Sequence, residues 1–249
     1  MDPANPAAAD IVVPVYNEGP NIVGVLDSLK AALQFNVRVL ICYDREDDDT
    51  LVALRGYDPR PLELVLVRNR GHGALGAVLT GFAESRAPCV ITFPADDDYN
   101  APRLNDLIRR FQDGCEIVAA SRFMRGGRMT GCPLLKAVLV RSAALFMWHV
   151  AAVPTHDASN GLRLFSRRVI TQIPIESKIG FAYSIELLVK AHRLRWPVAE
   201  VPFHWQERKS GQSRFRTLRW LPQYTKWLFY ALATTYLRRG PATIALIRR

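Results

Sequence analysis

Three polar clusters follow apolar runs in this sequence, and their residue types are those that bind phosphate or the cations that accompany it. Asp44-Arg45-Glu46-Asp47-Asp48-Asp49-Thr50 comes after apolar residues 37–43, and Ala95-Asp96-Asp97-Asp98 comes after residues 89–93. Carboxylates this close together repel one another unless a cation sits among them. Mg2+ or Mn2+ shared with a substrate phosphate answers that need, because such an ion takes one or two carboxylates and completes its shell with phosphate oxygens and water. The plainer alternative is that these are turn residues and helix caps, where aspartate is favoured. Between the two acidic runs, Gly71-His72-Gly73-Ala74-Leu75-Gly76 fits the spacing GxGxxG, follows an apolar run and opens a helical stretch. That pattern suits a dinucleotide fingerprint. However, Arg68, Asn69 and Arg70 separate the strand from the first glycine, and the unit is the third of its series. A glycine turn that lets a helix N-terminus approach a phosphate explains the same residues.

The elements that must position these clusters alternate between two periods. Residues 11–15, 37–43, 62–67, 89–93 and 117–120 read as strands, while Ile22, Val25, Leu26, Leu29, Ala32 and Leu33 share one helical face. Further helices are predicted over residues 74–84, 103–111, 134–150 and 181–193, with Pro102 suited to a first helical turn. The alternation predicts an α/β protein with a mostly parallel central sheet and helices on both faces. In open sheets of this kind ligands bind beyond the carboxyl ends of the strands, so the polar clusters are expected to line one crevice.

Several further segments resemble a family 2 glycosyltransferase, and more narrowly the dolichyl- or polyprenyl-phosphate mannose synthase group. Pro14-Val15-Tyr16-Asn17-Glu18-Gly19-Pro20-Asn21-Ile22 is similar to that group's opening PxYNExxNI. Asp44 and Asp48 match acidic positions after its second strand, and Gly71 to Gly76 its glycine loop. Ser121-Arg122-Phe123 with Gly126-Gly127 matches its SRY…GG segment, and Asp157 to Phe165, DASNGLRLF, resembles DxxSGFRLF. Residues 181–186 and Glu200-Val201-Pro202 follow in order, and residues 208–214, RKSGQSR, resemble the acceptor-loop RxxGxSK.

The resemblance implies a glycosyltransferase-A-type fold and inverting transfer of a sugar, mannose or glucose, from a nucleotide diphosphate to a polyprenyl phosphate. It puts Pro14, Tyr16, Glu18, Asp44, Gly71, Gly73 and Asp96 against the donor nucleotide and Mg2+ or Mn2+ on Asp96, Asp97 and Asp98. Asp97 and Asp98 join Arg122 and Lys136 as catalytic candidates, with the two cations on a phosphate. Arg208, Ser213 and Arg214 would hold the acceptor, Arg214 replacing the family's lysine. One departure affects the metal: the family's DxD begins one residue earlier, where this chain has Ala95. Asp97 then takes the second acidic position, or a one-residue adjustment pairs Asp96 with Asp98. A glycosyltransferase using a non-lipid hydroxyl acceptor and a nucleotide-dependent oxidoreductase built on the glycine loop remain as alternatives.

The chain has 249 residues, 49% of them hydrophobic and 22% charged, which is enough to bury a core without disulfides or metals. Residues 1–9 read as a loose lead-in, 10–214 as the catalytic domain, and 215–249 as a basic amphipathic helix and tail. Its net charge of +10 sits almost wholly in the last segment, since residues 205–249 contain ten Lys/Arg and the single acid Glu207. An anionic partner is expected there: a membrane surface or a phosphorylated substrate, with no nucleic-acid module recognised. Trp220, Leu221, Tyr224, Trp227, Leu228, Ala231 and Leu232 fall at helical spacing beside Arg216, Arg219 and Lys226. This stripe suits either insertion among lipid headgroups or packing on the core. The apolar run 227–237 is shorter than the ~20 residues that span a bilayer, and no secretory leader is recognised. A cytoplasmic protein, peripheral at the membrane, is the expectation. The four scattered cysteines read as reduced thiols.

Overall fold

A computed structural model describes residues 6–206 and 217–247. Its centre is a seven-stranded sheet in the order β3-β2-β1-β4-β7-β5-β8. The strands are β1 (Ala9–Pro14), β2 (Val37–Tyr43), β3 (Glu63–Arg68), β4 (Cys89–Thr92), β5 (Ile117–Ser121), β7 (Arg163–Ser166) and β8 (Val198–Pro202). All are parallel except β7, which runs antiparallel to both β4 and β5. Strands β1 to β5 lie where the apolar runs predict them, but β7 and β8 were not expected. The four residues of β7 include Arg163, and the insertion places the DASNGLRLF segment in the middle of the sheet.

Near-continuous apolar strands are buried on both faces, and successive side chains divide between two cores. Ile11 and Val13 of β1 join α1 (Gly19–Ala32) and α4 (Arg103–Gln112) through Ile22, Leu26, Leu104 and Ile108. Val12 faces the opposite core with α3 (Gly73–Glu84), α6 (Arg167–Gln172) and α7 (Ala182–Arg193). Cys42 and Cys89 are buried in these layers, and desolvation pushes both thiols up to about 12, so they stay protonated at neutral pH. Glu186, on α7, is fully buried; it accepts from the backbone N–H groups of Glu176 and Ser177 and pairs with Lys190 at 2.6 Å.

The last helix, α8 (Thr217–Tyr236), takes the packed alternative along its described stripe. Trp227 and Ala231 have no exposed surface, and Tyr224, Leu228 and Leu232 pack against the same core as α7. Trp227 Nε1 donates to Ser177 Oγ at 3.0 Å, and Lys226 pairs with Glu176 at 2.8 Å. The aromatic side expected to be available to lipid is, for residues 224–232, part of the interior. Among the described residues no helix is long and apolar enough to cross a membrane.

A second, two-stranded parallel sheet joins β6 (Arg128–Thr130) to β9 (His204–Gln206). The described residues also form the short α2 (Asp49–Ala53), α5 (Leu134–His149) and a 3-10 turn at Pro241–Thr243.

Candidate active site

The strand order reverses between β1 and β4: the chain builds β1-β2-β3 outward in one direction, then returns to place β4 on the other side of β1. That switch point is where an open α/β sheet leaves a crevice. Four successive strand ends border it, carrying Pro14 to Glu18, Asp44 to Asp49, Asn69 to Gly73 and Ala95 to Asn100.

After β1, Pro14 is half-buried, Tyr16 is exposed and Asn17 turns the chain through a left-handed backbone conformation, φ 53°. The turn is held by the first acidic run. Asp48 accepts the Asn17 N–H at 3.1 Å and caps α2 through the Thr50 N–H at 2.9 Å. Asp49 accepts the Gly19 N–H, and Thr50 Oγ1 accepts the Glu18 N–H. Asp48 and Asp49 therefore act as caps and loop braces, while Asp47 pairs with exposed Arg45. Glu18 presents a half-buried carboxylate that accepts from Asn21 Nδ2 at 2.8 Å.

Asp44 does something different. One carboxylate oxygen accepts from Asn69 Nδ2 at 2.5 Å and the other from the Gly73 N–H at 3.0 Å, at the first residue of α3. Asn69 also accepts from the Gly71 N–H and from Thr80 Oγ1. A carboxylate thus occupies the positive end of α3, and the glycines serve close packing around Asn69: a Cβ on Gly76 would lie 2.9 Å from both Asn69 Oδ1 and the Gly71 carbonyl carbon. Asn69 braces the candidate site, and sequence reasoning missed it. It counted there only as a spacer between strand and glycine.

The aspartate triplet divides by role. Asn100 Nδ2 donates to both oxygens of Asp97 at 2.9 Å, and the Tyr99 and Asn100 N–H groups add to one of them. Burial nevertheless raises the Asp97 pKa above the usual carboxylate range, with the neighbouring Asp96 charge adding to the rise. Asn100 in turn exchanges hydrogen bonds with the His204 backbone, so Asp97 ties its loop to β9. Asp96 is half-buried and Asp98 is exposed, the latter fixed through its carbonyl by Ser28 Oγ. Among the described residues no three acidic, His or Cys side chains close around a common point. Asp96 and Asp98 are oxygen donors of the type a hard cation takes when it draws its remaining ligands from phosphate and water.

On the far side of β4, Arg122 directly follows β5 and clamps the inserted segment. Its Nε and Nη2 bind the two oxygens of fully buried Asp157 at 2.6 and 2.9 Å, its backbone N–H adds a third bond, and Nη2 also reaches Ser159. These contacts use three of the five guanidinium donors and leave those of Nη1. Below the clamp lies Arg163, wholly buried, donating to the carbonyls of Ser184, Ala158 and Asp157; burial pulls its pKa down to about 10 despite the Asp157 charge. Lys136 is exposed on α5, with Nζ 5.1 Å from the Trp205 ring centre. Arg208, Ser213 and Arg214 lie outside the described residues.

The turn after Arg122 has no room for a side chain at Gly127, where a Cβ would fall 2.4 Å from the Ser121 carbonyl oxygen. Gly127→Ala is expected to cost about 1–3 kcal/mol as an overpacked site. Urea denaturation reads that loss, and a midpoint unchanged from the parent would show that the turn yields.

Residues 10–173 match the family described as Glycosyl transferase family 2. The chain is 25% identical over 227 residues to a dolichol-phosphate mannosyltransferase of Pyrococcus furiosus, covering 87% of this chain and 63% of that protein. It is 26% identical over 213 residues to a polyprenol monophosphomannose synthase of Mycolicibacterium smegmatis, covering 82% and 79% respectively. A solved structure of glucosyl-3-phosphoglycerate synthase from Mycobacterium tuberculosis, in complex with Mn2+, UDP and glucosyl-3-phosphoglycerate, superposes with a TM-score of 0.63 at 17% identity. That alignment covers 91% of this chain and 79% of the other, and the shared architecture is the GT-A fold. The matched region contains β1 to β4, the switch-point crevice, the aspartate triplet and the Arg122–Asp157 clamp, and on that basis the chain belongs to glycosyl transferase family 2.

Proposed function

We propose that this protein transfers a sugar, mannose or glucose, from a nucleotide diphosphate to a polyprenyl phosphate at a membrane surface, with inversion at the anomeric carbon. The observation that carries this reading is the switch-point crevice between β1 and β4, with the aspartate loop at the end of β4 and the Asn69-braced glycine loop at the end of β3 on the same carboxyl edge of the sheet. It is supported by modest identity to two enzymes named for mannose transfer to polyprenyl phosphates.

In this reading Pro14, Tyr16 and Glu18 border the nucleoside. Asp44 holds Gly73 in place and keeps lone pairs that can accept from the base or ribose. Asp96 and Asp98 would hold Mg2+ or Mn2+, an ion that would supply positive charge for the departing diphosphate. Arg122, oriented by Asp157, offers Nη1 to a phosphate oxygen, and Lys136 adds a second cation at the rim. Arg208, Ser213 and Arg214 position the acceptor. A lipid phosphate is already anionic at neutral pH, so attack on the anomeric carbon requires alignment and not deprotonation.

The test is a donor screen in detergent, pairing GDP-mannose and UDP-glucose with a polyprenyl phosphate or with 3-phosphoglycerate and identifying products by mass spectrometry. A glycosylated polyprenyl phosphate is expected. Transfer only to the hydroxyl acceptor would overturn the lipid assignment.

A further inference from the structure

We propose that this chain forms a two-fold dimer in which β3 pairs antiparallel with β3 of a second copy, continuing the central sheet from one molecule into the other. The inference is independent of the sugar-transfer reading.

Among the described residues β3 ends the sheet and pairs only with β2, in an unbroken register from Glu63 to Arg68 that contains no proline. Backbone groups alternate in direction along a strand, and the Asn69 N–H, one residue past β3, still donates to the Tyr43 carbonyl of β2 at 2.8 Å. The odd-numbered residues of β3 therefore turn their backbone groups to β2, while Leu64, Leu66 and Arg68 turn theirs outward. Such a row is a template for another strand.

Symmetry, hydrogen bonding and charge select a second copy and one register. Edge strands related by a two-fold axis run antiparallel, and directly opposed residues share a face. Placing Leu66 opposite Leu66 of the second copy pairs Leu64 with Arg68 on either side of the axis, so the three outward residues of each strand exchange about six backbone hydrogen bonds. A shift of two residues in one direction would require the Leu62 N–H, which is already given to the Pro59 carbonyl at 2.9 Å. A shift in the other direction would require the Arg70 N–H, which is held by Thr80 Oγ1 at 3.1 Å. The same register sets Glu63 opposite Asn69 of the second copy, and so between Arg68 and Arg70, whose side chains are exposed. By symmetry this opposition of charge occurs at both ends of the pairing. Leu66, 51% exposed in the single chain, is covered at the axis by its own counterpart. The pairing also brings a carboxylate of one copy beside Asn69 of the other, the residue that braces Asp44 and the glycine loop.

The test is sedimentation velocity of the intact chain over a concentration series, beside amide hydrogen exchange read by mass spectrometry. The parent is expected to be dimeric at about 100 µM, with peptides covering residues 63–69 protected in proportion to the dimer fraction. Leu66→Lys sets two ammonium groups against each other at the axis, and Glu63→Lys sets a cation between Arg68 and Arg70. Each should raise the dissociation constant at least ~10-fold, because like charges placed opposite one another on paired strands are destabilising. Glu63→Lys combined with Arg68→Glu restores an opposed pair and should recover most of the lost affinity, a result that a merely weakened strand would not give. Should Leu66→Lys melt below the parent, Glu63→Lys and its rescue decide the matter. A parent that stays monomeric at that concentration, a dimer indifferent to both lysine variants, a dimer whose residues 63–69 exchange as fast as in the monomer, or a rescue variant no tighter than Glu63→Lys each overturns the proposal.

Discussion

Asp96→Asn/Asp98→Asn should reduce sugar transfer by about a thousandfold or more and remove its response to added Mn2+ or Mg2+, with the melting temperature unchanged. The leaving diphosphate gains charge as the glycosidic bond breaks, and a single preorganised partner to such charge is worth about 10²–10³ in rate. A cation held by two carboxylates supplies more than one neutral donor. Asn keeps the size and polarity of each side chain and removes its charge. Asp97→Asn is expected to behave differently. Asp97 accepts four hydrogen bonds from Asn100 and Tyr99, and an amide can accept at only one of its two positions. That variant should loosen the loop where Asn100 meets His204 and lower stability first. The check is a metal titration of initial rates beside thermal unfolding for each variant. A single Asp97→Asn that melts like the parent but no longer responds to metal would transfer the metal role to Asp97.

The difficulty of choosing among these three aspartates shows what a sequence can and cannot display. Strand runs such as Val37–Tyr43 and Cys89–Thr92 are visible because sheets buried on both faces require unbroken apolar residues, and the polar clusters are visible because they follow those runs. The crevice itself was therefore legible. Which carboxylate is used for structure was not, since that depends on the partner. Asn100 lies three residues from Asp97, but its second partner, His204, is 104 residues away. Asn69 was hidden in the same way: its contact with Asp44 spans 25 residues. Strand β7 escaped because four residues containing an arginine lack a strand signature. Its arginine is tolerated only because carbonyls of α7 and of the DASN segment surround it. Helix α5 was predicted as a helix, but its polar residues, Lys136, Arg141, Ser142 and His149, do not gather on one face, so the pattern cannot say which side the protein covers.

Replacing Asp157 with Ala should destabilise the fold by about 3–5 kcal/mol, the usual consequence of removing one member of a buried ion pair. Three bonds from Arg122 would be lost at once, and the positive charge of Arg163 beneath would lose the opposing charge of Asp157. Arg122→Ala leaves Asp157 without its guanidinium and should cost a similar amount, while the double variant should cost much less than the sum. Such non-additivity is expected of residues in direct contact. Urea denaturation of the four proteins closes this cycle, and additive costs would show that the clamp contributes nothing as a pair. Activity separates the clamp from the phosphate role proposed for Nη1. Arg122→Lys keeps a cation near Asp157 but lacks the planar fork, so one ammonium must serve both the carboxylate and the substrate. If Arg122 only held the segment, the lysine variant would regain transfer in proportion to its regained stability. If Nη1 also meets a phosphate, stability should recover substantially while the rate with saturating donor stays at least ~10-fold down, because the pair still forms but the Nη1 donors are gone.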